Sequence, residues 1–225
     1  MNGSSVVINL LGAIALLLWA TRLVKTGVLR AFGDRLRRVL SQATASRFSA
    51  FGLGVAVATA LQSATATALL VTSFAGRGMI GLAAALALML GADVGSTLVV
   101  QALSFDLKAM IPLLLMVGVA AFMMSSSATI RQVGRILIGL ALMILSLGMI
   151  VASTSTLRDN GTLTFVLARL ADDPVIAVVI GTLMTWLMHS SVAMVLLIMS
   201  LAAAGVASLP LALALLIGAN LGGGL

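Results

Sequence analysis

Apolar residues run almost unbroken along this chain, and the interruptions give it its shape. Val6 to Leu23 forms one apolar run, close to the roughly 20 residues that a membrane helix needs. From Lys25 to Ala45 the pattern turns amphipathic. Val28, Leu29, Phe32, Leu36, Val39 and Leu40 recur at spacings of three and four, with arginines between them. That period predicts a separate helix with a basic face, lying in the membrane interface. From Phe51 onward the apolar runs shorten. Gln62-Ser63-Ala64-Thr65-Ala66-Thr67 interrupts one, Gly76-Arg77-Gly78 ends the next, and Gly91-Ala92-Asp93-Val94-Gly95-Ser96-Thr97 ends a third. Two fuller spans follow, Ala109 to Met124 and Val133 to Val151. Ser125-Ser126-Ser127 separates them and reads as a loop, while Asp106 and Lys108 are expected to bracket a membrane boundary. A polar loop from Ser153 to Asp173 has nearly cancelling charges and is predicted on the outer side. Pro174 restarts the apolar pattern.

Composition narrows the class. The chain has 225 residues, 61% hydrophobic and 8% charged, against about 25% charged in soluble domains. Too little polar surface remains to cover a soluble globule, and the length allows about six to eight membrane segments. An all-α polytopic membrane protein is the expected fold class, in the cell membrane and, for a bacterial chain, the inner one. Basic residues number 13 and acidic ones 6, with no glutamate. Seven of the basic residues lie close together: Arg22, Lys25, Arg30, Arg35, Arg37, Arg38 and Arg47. Such a cluster marks a cytoplasmic loop and can rest against anionic lipid. Nucleic acid is not an expected partner, because no stacking aromatics accompany the charge. Cysteine is absent and histidine occurs once, so neither a disulfide framework nor a resident metal or cofactor is expected. Met1 to Ser5 carries no positive charge, and the first apolar run reads as a retained helix rather than a cleaved leader.

The most informative pattern is a repeat. An offset of 127 places residues 54–98 on 181–225 without a gap. Gly54 meets Gly181, Ser63 meets Ser190, Gly78 meets Gly205, Gly91-Ala92 meets Gly218-Ala219 and Gly95 meets Gly222. The polar clusters fall in register too, Gln62 on His189 and Asp93 on Asn220. The organisation read from this is a first membrane helix and basic interfacial helix over 1–49, then a first repeat over 50–153 with its core at 54–98. A polar loop and the start of the next span occupy 154–180. A second core unit over 181–225 lacks the two long spans that follow the first. The chain is therefore expected to be a fragment, an early-ended frame, or half of a homodimer.

Duplicated, glycine-interrupted apolar segments are the mark of secondary transporters. Backbone groups freed where a helix breaks cost several kcal/mol in lipid and persist where they are buried in protein or line a cavity. Each repeat is read as carrying two such breaks. The first holds Gln62, Ser63, Thr65 and Thr67, or His189, Ser190 and Ser191. The second is centred on Asp93 with Ser96 and Thr97, or on Asn220. Apart from Asp93, expected to add a buried charge, these are neutral donors and acceptors suited to stripping water from ions.

These residues resemble the sodium/phosphate cotransporters of the type II class. That family carries Gln-Ser-Ser-Ser once in each of two inverted repeats, each followed by Gly-Ala-Asn-x-Gly-Thr-Thr. Gln62-Ser63-Ala64-Thr65 and Gly91-Ala92-Asp93-Val94-Gly95-Ser96-Thr97 resemble the first pair. His189-Ser190-Ser191-Val192 and Gly218-Ala219-Asn220-Leu221-Gly222 resemble the second. The resemblance implies re-entrant or broken helices and sodium-driven import of inorganic phosphate through a midplane site between the repeats. Sodium, the coupling ion, would be held through Gln62, Ser63, Thr65, Ser190 and Ser191. The departures are Ala64, Asp93, His189, Val192 and Gly223-Gly224. An added carboxylate favours a cation over an anion, and His189 brings in proton coupling as a variant. Two other functions fit the residues less well. One is a phosphate-sensing or scaffold protein that no longer transports. The other is an intramembrane hydrolase built on His189 and Ser190, whose adjacency in sequence argues against a catalytic pair.

Overall fold

The computed structural model describes residues 3–41, 46–105, 107–158 and 169–225. Among them every regular element is helical. In chain order they are α1 (Gly3–Ser41), α2 (Arg47–Leu61), α3 (Ala64–Gly76), α4 (Leu82–Leu103), α5 (Ile111–Met124), α6 (Ala128–Arg158), α7 (Pro174–Met188), α8 (Ser191–Ala203) and α9 (Leu209–Gly224). A 3₁₀ turn over Lys108–Met110 leads into α5. Among the described residues three helices are long and apolar enough to cross a membrane, at Ser5–Leu36, Leu82–Leu103 and Ala128–Ser153.

The first expectation to fall is the division of the N-terminal region. The run to Leu23 and the basic stretch after it form one helix of 39 residues, about 58 Å long at 1.5 Å per residue. No proline interrupts it, and Gly27 is spent on packing rather than on a break. A Cβ there would lie 2.8 Å from Ile136 Cγ1 and 3.1 Å from the Gln132 carbonyl oxygen. The switch in sequence pattern therefore records a change of surroundings along one helix. Ser125–Ser127 is a loop, as read. Lys108 is exposed in its turn, and its expected partner at the boundary, Asp106, lies outside the described residues. Helix α6 runs on to Arg158, and 159–168, the middle of the expected outer loop, also lies outside them.

The chain forms two compact units. One holds 22–106 and 112–140, and with them α2, α3 and α4. The other holds 1–21, 107–111 and 141–225, and with them α7, α8 and α9. Each unit contains one copy of the repeat.

Within the first copy, contact register fixes the topology. Gly91 backs onto Phe51 and Val55, and Gly95 onto Val55 and Ala58. Numbering rises the same way along both helices, so α2 and α4 run parallel. A chain that leaves α2 at Leu61 can begin a parallel neighbour at Leu82 only by travelling back first. Helix α3 is that return limb, and α2 with α3 forms a helical hairpin. Its limbs of 15 and 13 residues are about 22 and 20 Å long, each short of the roughly 30 Å hydrocarbon core. Neither limb is long enough to cross a bilayer by itself.

The second copy repeats this contact for contact. Gly218 backs onto Val178 and Thr182, and Gly222 onto Thr182 and Thr185. The approach is backbone to backbone: a Cβ at Gly91 or Gly218 would lie 2.1 or 2.2 Å from the carbonyl oxygen of Phe51 or Val178. Small residues at these positions permit the close helix packing that replaces hydrophobic driving force in lipid. The return limbs also end alike. Gly78 (φ 71) and Gly205 (φ 68) take the left-handed conformation. Met79 N–H then donates to Phe74 C=O at 3.0 Å, and Val206 N–H to Leu201 C=O at 3.0 Å, the pattern of a Schellman cap.

The same register corrects a second expectation. Gly91–Thr97 and Gly218–Gly222 are not breaks. Both lie inside continuous helices, and their glycines are the packing surface for α2 and α7.

Candidate functional site

Each hairpin turns at two residues. Helix α2 stops because Gln62 adopts the left-handed conformation (φ 50, ψ 37), and α7 stops because His189 does the same (φ 52, ψ 30). These are the two non-glycine residues with positive φ among the described residues. The conformation costs an L-residue about 1–2 kcal/mol, and glycine would adopt it freely. The next residue is extended and caps the return limb. Ser63 Oγ accepts from Ala66 N–H at 3.0 Å, and Ser190 Oγ accepts from Ala193 N–H at 3.2 Å. The turn is pinned from the other side as Gln62 N–H donates to Thr59 C=O and His189 N–H to Trp186 C=O, both at 3.3 Å.

The side chains at the two tips differ. Gln62 is half-buried, and its Oε1 is buried with no hydrogen-bond partner among the described residues. Such an acceptor costs about 1–3 kcal/mol. His189 is exposed, and its Nδ1 lies 3.1 Å from the Leu187 carbonyl oxygen. Thr67 is fully buried in the first turn of α3, its hydroxyl donating to Ser63 C=O at 3.0 Å. Thr65 is exposed at the same end, while Ser190 and Ser191 are half-buried. Ser190 Oγ thus caps α8, and His189 Nδ1 lies against its own helix's backbone.

The second polar cluster of each repeat lies beside the last turn before the tip. Thr59, one turn before Gln62, donates its hydroxyl to Gly95 C=O at 3.1 Å, tying α4 to the hairpin there. Asp93, Ser96 and Thr97 are carried on this stretch of α4. The Ser96 and Thr97 hydroxyls both donate to Asp93 C=O at 2.9 Å, which is helical self-bonding. Asp93 itself is exposed, against the expectation of a buried charge. The α4 surface holding Gly91 and Gly95 faces α2, and Asp93 points off it. Asn220 takes the same position on α9 and is likewise exposed. Sequence reasoning missed Thr59. Its counterpart is Trp186, so the comparison of repeats hides it rather than flags it. Among the described residues no group of three or more acidic, histidine or cysteine side chains could hold a metal ion.

Comparison with known proteins follows the same lines. The model of a family described as Na+/Pi-cotransporter matches residues 16–152 and 154–225. The chain is 44% identical over 218 residues to a protein of Escherichia coli O157:H7 named "Putative inorganic phosphate export protein YjbB", covering 97% of this chain and 40% of that one. The Salmonella typhimurium protein of the same name is 43% identical with the same coverage. The Bacillus subtilis protein "Uncharacterized protein YqeW" is 23% identical over 217 residues, 96% of this chain and 70% of that one. The chain thus spans less than half the length of its YjbB relatives. No solved structure matches it. The family match takes in both hairpins and nearly all that lies between them, and the chain is a multi-pass membrane protein that belongs to the Na+/Pi-cotransporter family.

Proposed function

We propose that the chain moves inorganic phosphate across the bacterial inner membrane in exchange for sodium free energy, with the hairpin tips supplying the ion-binding groups. The observation that carries this is the repeated tip: a left-handed Gln62 or His189 followed by a capping serine, in matched register. Strained non-glycine backbone persists where the surroundings hold it for a reason. At each tip one helix ends and another begins. The N-termini of α3 and α8 bring N–H donors and a partial positive charge, which suit phosphate. The C-terminal carbonyls of α2 and α7, with Gln62 Oε1 and the hydroxyls of Ser63, Thr65, Ser190 and Ser191, are hard oxygen ligands suited to sodium.

Coupling follows from charge. A unit cation and anion about 4 Å apart attract by about 4 kcal/mol at an effective dielectric near 20, so a bound sodium raises the affinity of the same region for phosphate. Asp93, exposed on α4, adds cation preference where the family has asparagine. The resemblance implies import, while the YjbB relatives are named for export. A coupled carrier is reversible, and the net direction follows the sum of the sodium and phosphate gradients.

The test is flux of radiolabelled phosphate in liposomes holding the purified chain, with the sodium gradient imposed inward and then outward. The expected result is phosphate movement that reverses with the sodium gradient and is lost in Gln62→Ala. Flux that ignores sodium, or survives that substitution, contradicts the proposal.

A further inference from the structure

The basic half of α1 is not absorbed by this mechanism. After the uncharged stretch Val6–Thr21, the helix carries Arg22, Lys25, Arg30, Arg35 and Arg38, with Asp34 as the acid among them. Close packing at Gly27 sets this half of α1 against the start of α6 at Gln132 and Ile136. Arg131 and Arg135 are the neighbours of those two residues in sequence. Arg131 is exposed, and Arg135 holds its guanidinium 5.7 Å above the Phe122 ring. Arg22, Arg30 and Arg35 are exposed.

We infer that this surface of α1 and α6 binds anionic phospholipid headgroups. Two observations favour lipid over free phosphate. The cations begin at Arg22, where the uncharged run ends, the sequence order that places cations at a membrane boundary. An apolar stripe also runs among them, with Leu29 and Val39 each 40% exposed and Phe32 and Leu36 half-buried between. Acyl chains can cover that stripe, whereas a free anion gains nothing from it. Cations near an anionic surface each add about fivefold to affinity.

The reporter is built in. Trp19, one turn before Arg22 on the same helix, is 54% exposed. With Trp186→Phe as background, Trp19 fluorescence is read in vesicles of phosphatidylcholine containing equal mole fractions of brominated phosphatidylglycerol or brominated phosphatidylcholine. The surface predicts stronger quenching by the phosphatidylglycerol, with an apparent preference of tenfold or more that falls at high salt. The triple change Arg22→Gln, Arg30→Gln, Arg35→Gln brings the preference near one, and the corresponding lysine substitutions keep it. Equal quenching by both lipids overturns the inference. So does a preference that survives the glutamine changes, or one erased by inorganic phosphate at constant ionic strength. None of these readings depends on transport.

Discussion

Replacing Gln62 by glycine separates a strained functional residue from a structural one. Three terms change. Relief of the left-handed conformation returns about 1–2 kcal/mol. Removal of a buried, unpartnered Oε1 returns about 1–3 kcal/mol. The added freedom of glycine in the unfolded chain takes back about 1 kcal/mol. With some loss of side-chain packing, Gln62→Gly is expected to be more stable than the parent by about 1–3 kcal/mol. Gln62→Ala loses the orphan acceptor but keeps the strain, so it should fall between the two. Thermal unfolding followed by tryptophan fluorescence, without sodium or phosphate, gives the order Gly above Ala above parent. Adding both ions should then raise the parent's Tm alone, because a ligand stabilises only the state that binds it. Transport should be absent in both variants. If Gln62→Gly melts below the parent, or carries phosphate at the parent's rate, the reading of the tip as stored strain serving a site is wrong.

Other expectations use the same logic. Gln132 also buries an unpartnered Oε1 but lies away from the tips in sequence, so Gln132→Leu should raise Tm by an amount worth about 1–3 kcal/mol and leave phosphate flux unchanged. Gly91→Ala and Gly218→Ala should each lower stability by 3 kcal/mol or about that, since the new Cβ meets backbone at 2.1 and 2.2 Å. Gly33→Ala in α1, with nothing within 4 Å, should gain up to about 1 kcal/mol in the same melt. Ser63→Ala and Ser190→Ala should each lose a helix cap worth about 1 kcal/mol, and Ser→Asp at either position should recover most of it.

Much of this fold was legible because a duplication is self-checking. Low complexity can align Ala with Leu, but it cannot place Gln62 on His189 and Gly78 on Gly205 and also return the same turn geometry at both. The breaks at 62 and 189 were visible as polar residues interrupting apolar runs. The second clusters misled for a physical reason. In a membrane chain a glycine-rich polar cluster can mark a broken helix at an ion site or a face where two helices touch, and the spacing of the residues is the same for both. The continuity of α1 was hidden similarly, since a change from an apolar to a basic surface looks like a change of element. Thr59 was invisible because its bond to Gly95 C=O depends on a helix 36 residues away.

The central claim is that sodium and phosphate meet at the tips, and linkage tests it most directly. Phosphate binding to the purified chain should be measured by calorimetry across a sodium series, and sodium binding across a phosphate series. The account predicts that each ion tightens the other by the same factor, as linkage requires, and that Gln62→Ala and Ser190→Ala both erase the factor. Phosphate binding of equal strength with and without sodium would contradict it.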